Sequence, residues 1–190
     1  MLEYGGKNII RFGIKERQDN WLDYSGDLYT KPEFKFFHNP RIILREIVGK
    51  QLVATYTEDI FLVNKSCYII ISNSDDTRFL KYLLGILSST LIGYYVQNIG
   101  DKSKQRLFPR ITMSTLKNIP IKIDKHVMEK LINVVDACLQ IKRQNLGEDI
   151  LLKEIEIDSL VYHLYGLTYD EVLIVDPQIP ITREEYETQS

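Results

Sequence analysis

Basic and amide side chains in this 190-residue sequence fall in three groups, which lie in loops and at strand ends rather than along helix faces. Cations bind phosphate, and forked Arg or bidentate Gln and Asn side chains read base edges near aromatic stacking platforms. The alternative interpretation is that these are ordinary solvated charges and that the aromatic residues hold a long loop together. The candidate contact residues are Lys7, Arg11, Lys15, Arg17, Arg45, Lys50, Gln51, Lys65, Lys102, Lys104, Gln105, Arg106 and Arg110, and the candidate platforms are Trp21, Tyr24, Tyr29 and Tyr56.

Catalytic motifs are missing from the sequence, which has no G-x-G-x-x-G, P-loop, H-E-x-x-H or G-x-S-x-G pattern. The three His and two Cys residues are too far apart to suggest a metal site or a disulfide framework. Glu33-Phe34-Lys35 has the E-x-K form of magnesium-dependent nucleases, with Asp23 and Asp27 upstream. This triplet lies in a loop, so we interpret it as solvated. We expect neither a catalytic residue nor a metal ligand in this chain.

Charge is divided unevenly along the chain. Residues 1–145 hold 22 Lys and Arg against 15 Asp and Glu, a formal charge of +7, whereas residues 146–190 hold 2 against 11, a charge of -9. A basic surface attracts polyanions and an acidic segment is repelled by them, so the two parts should face different partners. Uneven placement of charge for solubility is the alternative explanation.

Strand-like runs dominate the first half of the chain. Residues 8–14 form a short β-rich run, and residues 15–40 form a polar, aromatic loop of a length that is typical of binding loops. Four runs rich in β-branched and aromatic residues then predict an antiparallel meander at residues 41–47, 51–57, 59–63 and 66–72. A final edge strand is predicted at residues 119–123, where Pro120 cannot donate to a ladder.

Helical periodicity begins after Asp76, where apolar residues at positions 80, 83, 84, 87 and 91 predict one buried helix that ends near Gln97. Further helices are predicted at 127–141 and at 149–165, the second ended by Gly166. The sequence TYDE at 168–171 has the form of a capping box and predicts a short helix, after which the tail should be extended.

The predicted fold class is therefore α+β, with a mixed, mostly antiparallel sheet, a packed helix and a C-terminal helical hairpin. We place an α+β recognition domain at residues 1–124 and a helical segment with an acidic tail at residues 125–190. The longest apolar stretch, 82–96, falls short of the roughly 20 residues of a membrane span, and the first ten residues do not resemble a signal peptide. We expect a cytoplasmic protein without contact to a membrane.

Six segments, taken in order, resemble one known family. They are GKNIIRFGI at 6–14, RIILREIVGKQLVATYTED at 41–59, NKSCYIII at 64–71, KYLLGILSSTLIGYYV at 81–96, LFPRITMSTLKNIPI at 107–121 and EIEIDSLVYHLYGLTYDEV at 154–172. Their combination is similar to the TaqI-like C-terminal specificity domain, the target recognition domain of type II restriction-modification enzymes and related adenine-specific DNA methyltransferases. The resemblance covers nearly the whole chain.

This resemblance implies a DNA-reading module without catalysis of its own. In the family, a separate methyltransferase domain carries the S-adenosylmethionine loop and an Asn-Pro-Pro-Tyr-type motif. This chain has neither, since Asn39-Pro40 is followed by Arg41-Ile42. The cofactors S-adenosylmethionine and Mg²⁺ are expected only in the associated catalytic domain. The implied partners are double-stranded DNA and a methyltransferase or endonuclease domain, in cis or in trans.

The leading hypothesis is thus a module that recognises a DNA sequence and positions a target adenine for a separate active site. A competing hypothesis is a protein-interaction scaffold, in which the C-terminal helices dock a partner through an apolar surface stripe at Val161, Leu164 and Leu167. A third is a nuclease that uses Glu33 and Lys35.

Overall fold

The computed structural model describes residues 1–15, 21–24, 32–47, 49–74, 76–99 and 110–188. Among these residues, short strands with one short helix between them come first, and the remaining helices follow the last strand. The strands are β1 (Glu3–Tyr4), β2 (Ile9–Ile10), β3 (Gly13–Ile14), β4 (Arg41–Arg45), β5 (Ala54–Thr57), β6 (Leu62–Val63) and β7 (Cys67–Ile71). The helices are α1 (Lys35–His38), α2 (Thr77–Ser88), α3 (Thr90–Ile99), α4 (Met113–Lys117), α5 (Lys125–Gln144), α6 (Leu151–Tyr165), α7 (Tyr169–Val175) and α8 (Arg183–Thr188).

The central sheet has three antiparallel strands in the order β5-β4-β7, with Ile42 of β4 opposite Tyr56 of β5 and Ile70 of β7. The predicted meander is therefore wrong: β6 leaves this sheet and pairs in parallel with β1. Four of the five residues of β4 are buried. The backbone N–H and C=O groups of a buried strand need hydrogen-bond partners, and a neighbouring strand on each edge supplies them. Burial alone does not set this order, because all four residues of the edge strand β5 are buried as well.

The predicted edge strand at 119–123 is also wrong, because these residues are not in strand conformation and pair with none of the described strands. Tyrosine hydroxyls bond the backbone there instead. Tyr165 donates to the carbonyl of Pro120 at 2.6 Å, and Tyr82 donates to the carbonyl of Lys122 at 2.8 Å. These bonds satisfy the backbone of the segment without a sheet partner.

The single helix predicted to end near Gln97 is two helices, α2 and α3, which are bent by 63° at Ser89. Ser89 has extended backbone angles, and its hydroxyl donates to the carbonyl of Ile86 at 2.7 Å. Small hydroxyl side chains compete in this way with the helical ladder. Within the described residues no single helix is long and apolar enough to cross a membrane; α2 and α3 pass that test only as a bent pair.

The C-terminal helices have well-defined ends. Gly166 closes α6 in the left-handed conformation, with φ 75°, as predicted. The predicted capping box is present, since Thr168 and Glu171 bond each other reciprocally at the start of α7. The predicted extended tail is wrong, because α8 follows and buries Tyr186 against Tyr162 and other residues.

The largest hydrophobic cluster joins Ile42 of β4, Leu84 of α2, Leu131 of α5 and Ile157 of α6. The helices after Asp124 thus pack on the same core as the sheet, and the boundary between residues 1–124 and 125–190 stays a prediction. The α+β class, with an antiparallel sheet and a C-terminal helical region, is confirmed.

Candidate nucleic-acid interface

Two turns lie against each other at one end of the sheet. The turn at Gly5–Asn8 is closed by the amide of Gly5, which donates to Oδ1 of Asn8 at 3.1 Å. Gly6 donates its backbone N–H to Oγ of Ser66 at 2.7 Å, which joins this turn to the one between β6 and β7. A Cβ atom at Gly5 would lie 2.6 Å from Nδ2 of Asn64, so a larger residue here would displace the Asn64 side chain.

A concavity of about 280 Å³ lies between these turns, and Lys7 and Arg45 both contribute to its lining. Lys7 is exposed and Arg45 is half-buried. The other lining residues are uncharged: Gly5, Gly6, Asn8, Ile47, Asn64 and Ser66. Two cations beside amide and hydroxyl groups, with no carboxylate among the lining residues that the structure describes, suit the binding of a phosphate.

Two further predicted cations lie next to this concavity. Lys65 is exposed on the turn between Asn64 and Ser66, and Arg110 forms an antiparallel bridge with Ile47. Glu46 is the nearby acidic residue, 3.4 Å from the Arg110 guanidinium in a solvent-exposed ion pair that contributes little to stability. We call Lys7, Arg45, Lys65 and Arg110 the basic end of the sheet.

Tyr68 and Cys67 of β7 support the basic end. The Tyr68 hydroxyl donates to the carbonyl of Ile111 at 2.9 Å and so holds the chain next to Arg110. Burial, together with Glu46, raises the pKa of Tyr68. Burial also raises the pKa of the Cys67 thiol to about 11, although Arg45 partly opposes this shift. Both groups are therefore uncharged at neutral pH and leave the positive charge of the basic end undiminished.

Lys50 and Gln51 lie on the connection between β4 and β5. The Lys50 side chain is 71% exposed, with its ammonium 3.6 Å from the Asp176 carboxylate. Gln51 donates from Nε2 to Oγ1 of Thr90 at 2.6 Å. Lys50 is thus an exposed cation with a carboxylate beside it, whereas the Gln51 amide is engaged inside the fold.

Arg11 lies in the interior rather than on an open surface. Its Nε pairs with Oε1 of Glu154, and its Nη1 donates to the carbonyl of Leu52 at 3.0 Å. Both side chains of the ion pair are at most 20% exposed. Removing either partner would leave an unpaired charge in a partly buried place, so Arg11 joins the first strands to α6.

Lys15 accepts a hydrogen bond at its carbonyl from Nδ2 of Asn8 at 3.2 Å, and it lines a wider concavity of about 730 Å³ together with Lys142 and Arg143 from the end of α5. Lys142 and Arg143 are not among the predicted contact residues, although basic residues in the last turn of a predicted helix are a recognisable signal. Asn8, Asn64 and Ser66 are not among them either, although they belong to the polar turn sequences GGKN and NKS.

Five of the predicted contact residues fall outside the described part of the chain: Arg17, Lys102, Lys104, Gln105 and Arg106. The same is true of the predicted platform Tyr29. Among the other platforms, Trp21 is 70% exposed. Tyr24 donates its hydroxyl to the carbonyl of Pro32, and Tyr56 donates to Glu58. Trp21 is the platform that presents most of its ring to solvent.

The described residues hold no group of three or more His, Cys, Asp or Glu side chains that could bind a metal ion. Lys35 pairs with Glu33 at 2.9 Å, and both side chains are largely exposed at the start of α1. The two cysteines are free, and burial raises the pKa of Cys138 to about 12. The E-x-K triplet is therefore held as an exposed local ion pair.

An α+β domain with exposed cations gathered at one end of its sheet is the class that this fold and site define. The sequence profile of the TaqI-like C-terminal specificity domain matches residues 2–121, and the chain belongs to this family. It is 30% identical over 175 residues to a protein of Methanocaldococcus jannaschii named for a type II restriction enzyme and methyltransferase, RM.MjaORFECS2P. The match covers 86% of this chain but 14% of that relative.

Proposed function

We propose that this chain is a sequence-specific module of a restriction-modification system that recognises double-stranded DNA. The observation that carries the proposal is the concavity shared by Lys7 and Arg45, flanked by Lys65 and Arg110, in a chain that belongs to the specificity-domain family. Cations gathered at one end of a sheet can contact phosphates of the same duplex, which cations spread over separate faces cannot do together.

The proposed interface contains fewer contact residues than the sequence suggested. Lys7 and Arg45 bind phosphate, with Lys65 and Arg110 beside them, and Lys50 extends the surface along the connection that follows β4. Arg11 and Gln51 act inside the fold through their bonds to Glu154 and Thr90. Arg17 and the basic residues at 102–106 stay in the proposal on their sequence alone.

The module positions a target adenine for a separate catalytic domain, in cis or in trans, and performs no bond-making itself. This part of the proposal is supported by the name of the Methanocaldococcus relative, of which the chain corresponds to 14%. Methylation requires the base to leave the helical stack, and S-adenosylmethionine and Mg²⁺ would bind in the catalytic part. The place of action is the cytoplasm, where the DNA lies.

Binding to a mixed-sequence duplex, measured over a series of salt concentrations, tests the proposal. The parent protein should bind with an affinity that falls steeply with salt. Lys7→Ala and Arg45→Ala should each reduce the slope of log affinity against log salt by about one. Lys153→Ala is the matched control, because Lys153 pairs with Glu156 on α6 and lies in the acidic part of the chain. Unchanged slopes for both interface variants would refute the assignment.

Sequence specificity needs a separate measurement. Selection of bound duplexes from a random pool should enrich one motif, and variants at the basic end should lower affinity for all duplexes about equally. Recovery of the pool without any enriched motif would reduce the proposal to non-specific DNA binding.

The competing scaffold hypothesis requires an exposed apolar stripe at Val161, Leu164 and Leu167, and these residues are not exposed. Val161 and Leu164 are buried in the core, and Leu167 is half-buried beside Tyr186. The apolar stripe of α6 is therefore already covered by this chain's own helices.

A further inference from the structure

One face of α3 holds the connection between β4 and β5. Thr90, Gly93 and Gln97 are spaced by three and four residues and so share this face. Gln97 donates from Nε2 to the carbonyls of Gly49 at 2.7 Å and Lys50 at 3.0 Å. We call residues 49–51 the Lys50 turn. Its backbone is thus tied to the helix at both of these carbonyls.

The contact between α3 and the Lys50 turn is a backbone contact. A Cβ atom at Gly93 would lie 2.5 Å from the carbonyl oxygen of Lys50 and 3.1 Å from Cα of Gln51. Real Cβ atoms do not approach an oxygen so closely. Glycine at position 93 therefore allows the turn to lie directly on the helix.

Asp158 of α6 holds the first residue of α3. Its side chain is buried and accepts two hydrogen bonds from Thr90, one from the backbone N–H at 2.6 Å and one from Oγ1 at 2.7 Å. The first of these bonds satisfies a backbone donor at the start of α3, where α2 has just ended at the bend. A negative charge at this place is also favoured by the helix dipole.

The Thr90 hydroxyl links Asp158 to the Lys50 turn. A hydroxyl has one hydrogen to donate, and Thr90 gives it to Asp158, so its oxygen lone pairs are free to accept the N–H of Gln51 at 2.6 Å. The three side chains therefore form a directed chain from amide to hydroxyl to carboxylate. The carboxylate fixes the direction of the hydroxyl, and the hydroxyl fixes the position of Gln51.

Other contacts from the C-terminal half reach the same region. Glu154 lies one turn before Asp158 on α6 and pairs with Arg11, which also bonds the carbonyl of Leu52. Asp176, directly after α7, lies 3.6 Å from the Lys50 ammonium. The residues just after the Lys50 turn, and Lys50 itself, are thus held from the helical half of the chain.

We infer that Asp158 is a positioning residue for DNA binding, which acts through Thr90 and Gln51 to hold the Lys50 turn in its DNA-contacting position. The inference rests on the proposed function, since it concerns how the proposed surface is pre-organised. A turn that is already fixed loses less conformational entropy when it binds than a turn that must become ordered. The helical half therefore contributes to DNA affinity without touching DNA.

The central experiment compares Thr90→Val with Thr90→Ser in duplex binding at low salt. Thr90→Val keeps the shape of the side chain and the backbone bond to Asp158 but removes both hydroxyl bonds, and it should weaken affinity about 5- to 10-fold. Thr90→Ser restores the hydroxyl and should bind within about twofold of the parent. Circular dichroism at the assay temperature confirms that each variant is folded.

A double-mutant cycle measures the coupling between Thr90 and Lys50 in DNA affinity. A purely structural role of Thr90 would give no such coupling. If the chain of bonds positions Lys50, the loss of affinity caused by Lys50→Ala should be clearly smaller in the Thr90→Val background than in the parent. Asp158→Asn, if it folds, should show the same coupling. Lys7→Ala is the control, because its effect should be the same in both backgrounds.

The outcomes separate the inference from the proposed function. Failure of the parent protein to bind duplex DNA would overturn both. A parent that binds, together with a Thr90→Val variant that binds equally well or shows additive losses with Lys50→Ala, would overturn the positioning role and leave the DNA-binding proposal in place.

Discussion

Replacing Gly93 by Ala tests the backbone contact between α3 and the Lys50 turn. The new Cβ would lie 2.5 Å from the Lys50 carbonyl oxygen. To restore an ordinary separation, the turn must move away by about 0.7 Å or more. Such a movement stretches the bonds from Gln97, now 2.7 and 3.0 Å, toward or beyond the limit of a hydrogen bond.

The expected cost can be worked from these contacts. Overpacking costs about 1–3 kcal/mol, and two weakened hydrogen bonds add about 1 kcal/mol each. The preference of a helix for Ala over Gly returns about 1 kcal/mol. We expect Gly93→Ala to lower the free energy of unfolding by about 3 kcal/mol and Tm by about 6–12 °C.

Urea denaturation followed by circular dichroism measures this change. Gly49→Ala is the matched control, because a Cβ there would meet nothing nearer than the carbonyl oxygen of Gln51 at 3.8 Å. The control should stay within about 0.5 kcal/mol of the parent. A Gly93→Ala variant as stable as the parent would refute the close packing of the turn on α3.

Three further outcomes are expected. Arg41→Ala should lower the free energy of unfolding by about 3 kcal/mol in urea denaturation, because the buried guanidinium donates to the carbonyls of Asn39 at 3.0 Å and Asp59 at 2.7 Å and leaves a cavity when removed; a loss below about 1 kcal/mol would contradict this. Thr168→Ala should cost about 1 kcal/mol in the same assay, since it breaks the capping box, and Thr168→Ser should recover most of the loss. Burial raises the pKa of Asp158 to about 6, so the folded state binds a proton more tightly than the unfolded state. The free energy of unfolding of the parent, relative to that of Asp158→Asn, should therefore fall by up to about 3 kcal/mol between about pH 4 and pH 6. A relative stability that rises over this pH range would contradict the last prediction.

Local signals in the sequence predicted the ends of several helices. Gly166 and the TYDE capping box act through contacts within a few residues, so their geometry depends little on the rest of the fold. The sequence TREE at 182–185 also has the form of a capping box, and Thr182 and Glu185 bond each other's backbone N–H groups at the start of α8. This signal was not used in the prediction. An extended tail was therefore predicted where a helix forms.

Interactions between distant residues were beyond the reach of sequence patterns. Besides the local bond of Ser89, the break between α2 and α3 has a distant partner in Asp158, which accepts the N–H of Thr90 and lies 68 residues after it. The apolar periodicity continues across Ser89, and it therefore predicted one helix. The order of the central sheet likewise depends on which strands pair with each other, and the periodicity of each run does not contain this information.

At the candidate interface, too, the sequence predicted some properties and only contacts between distant residues decided the others. Sequence by itself determined the residue types, the basic character of residues 1–145 and the resemblance to the specificity-domain family, because composition and motif order need no coordinates. Only the tertiary structure decided that Lys7 and Arg45 share a concavity while Arg11 is paired inside with Glu154. The physical reason is that whether a cation is available for a ligand depends on the carboxylates and carbonyls that folding brings near it, and these come from distant parts of the chain.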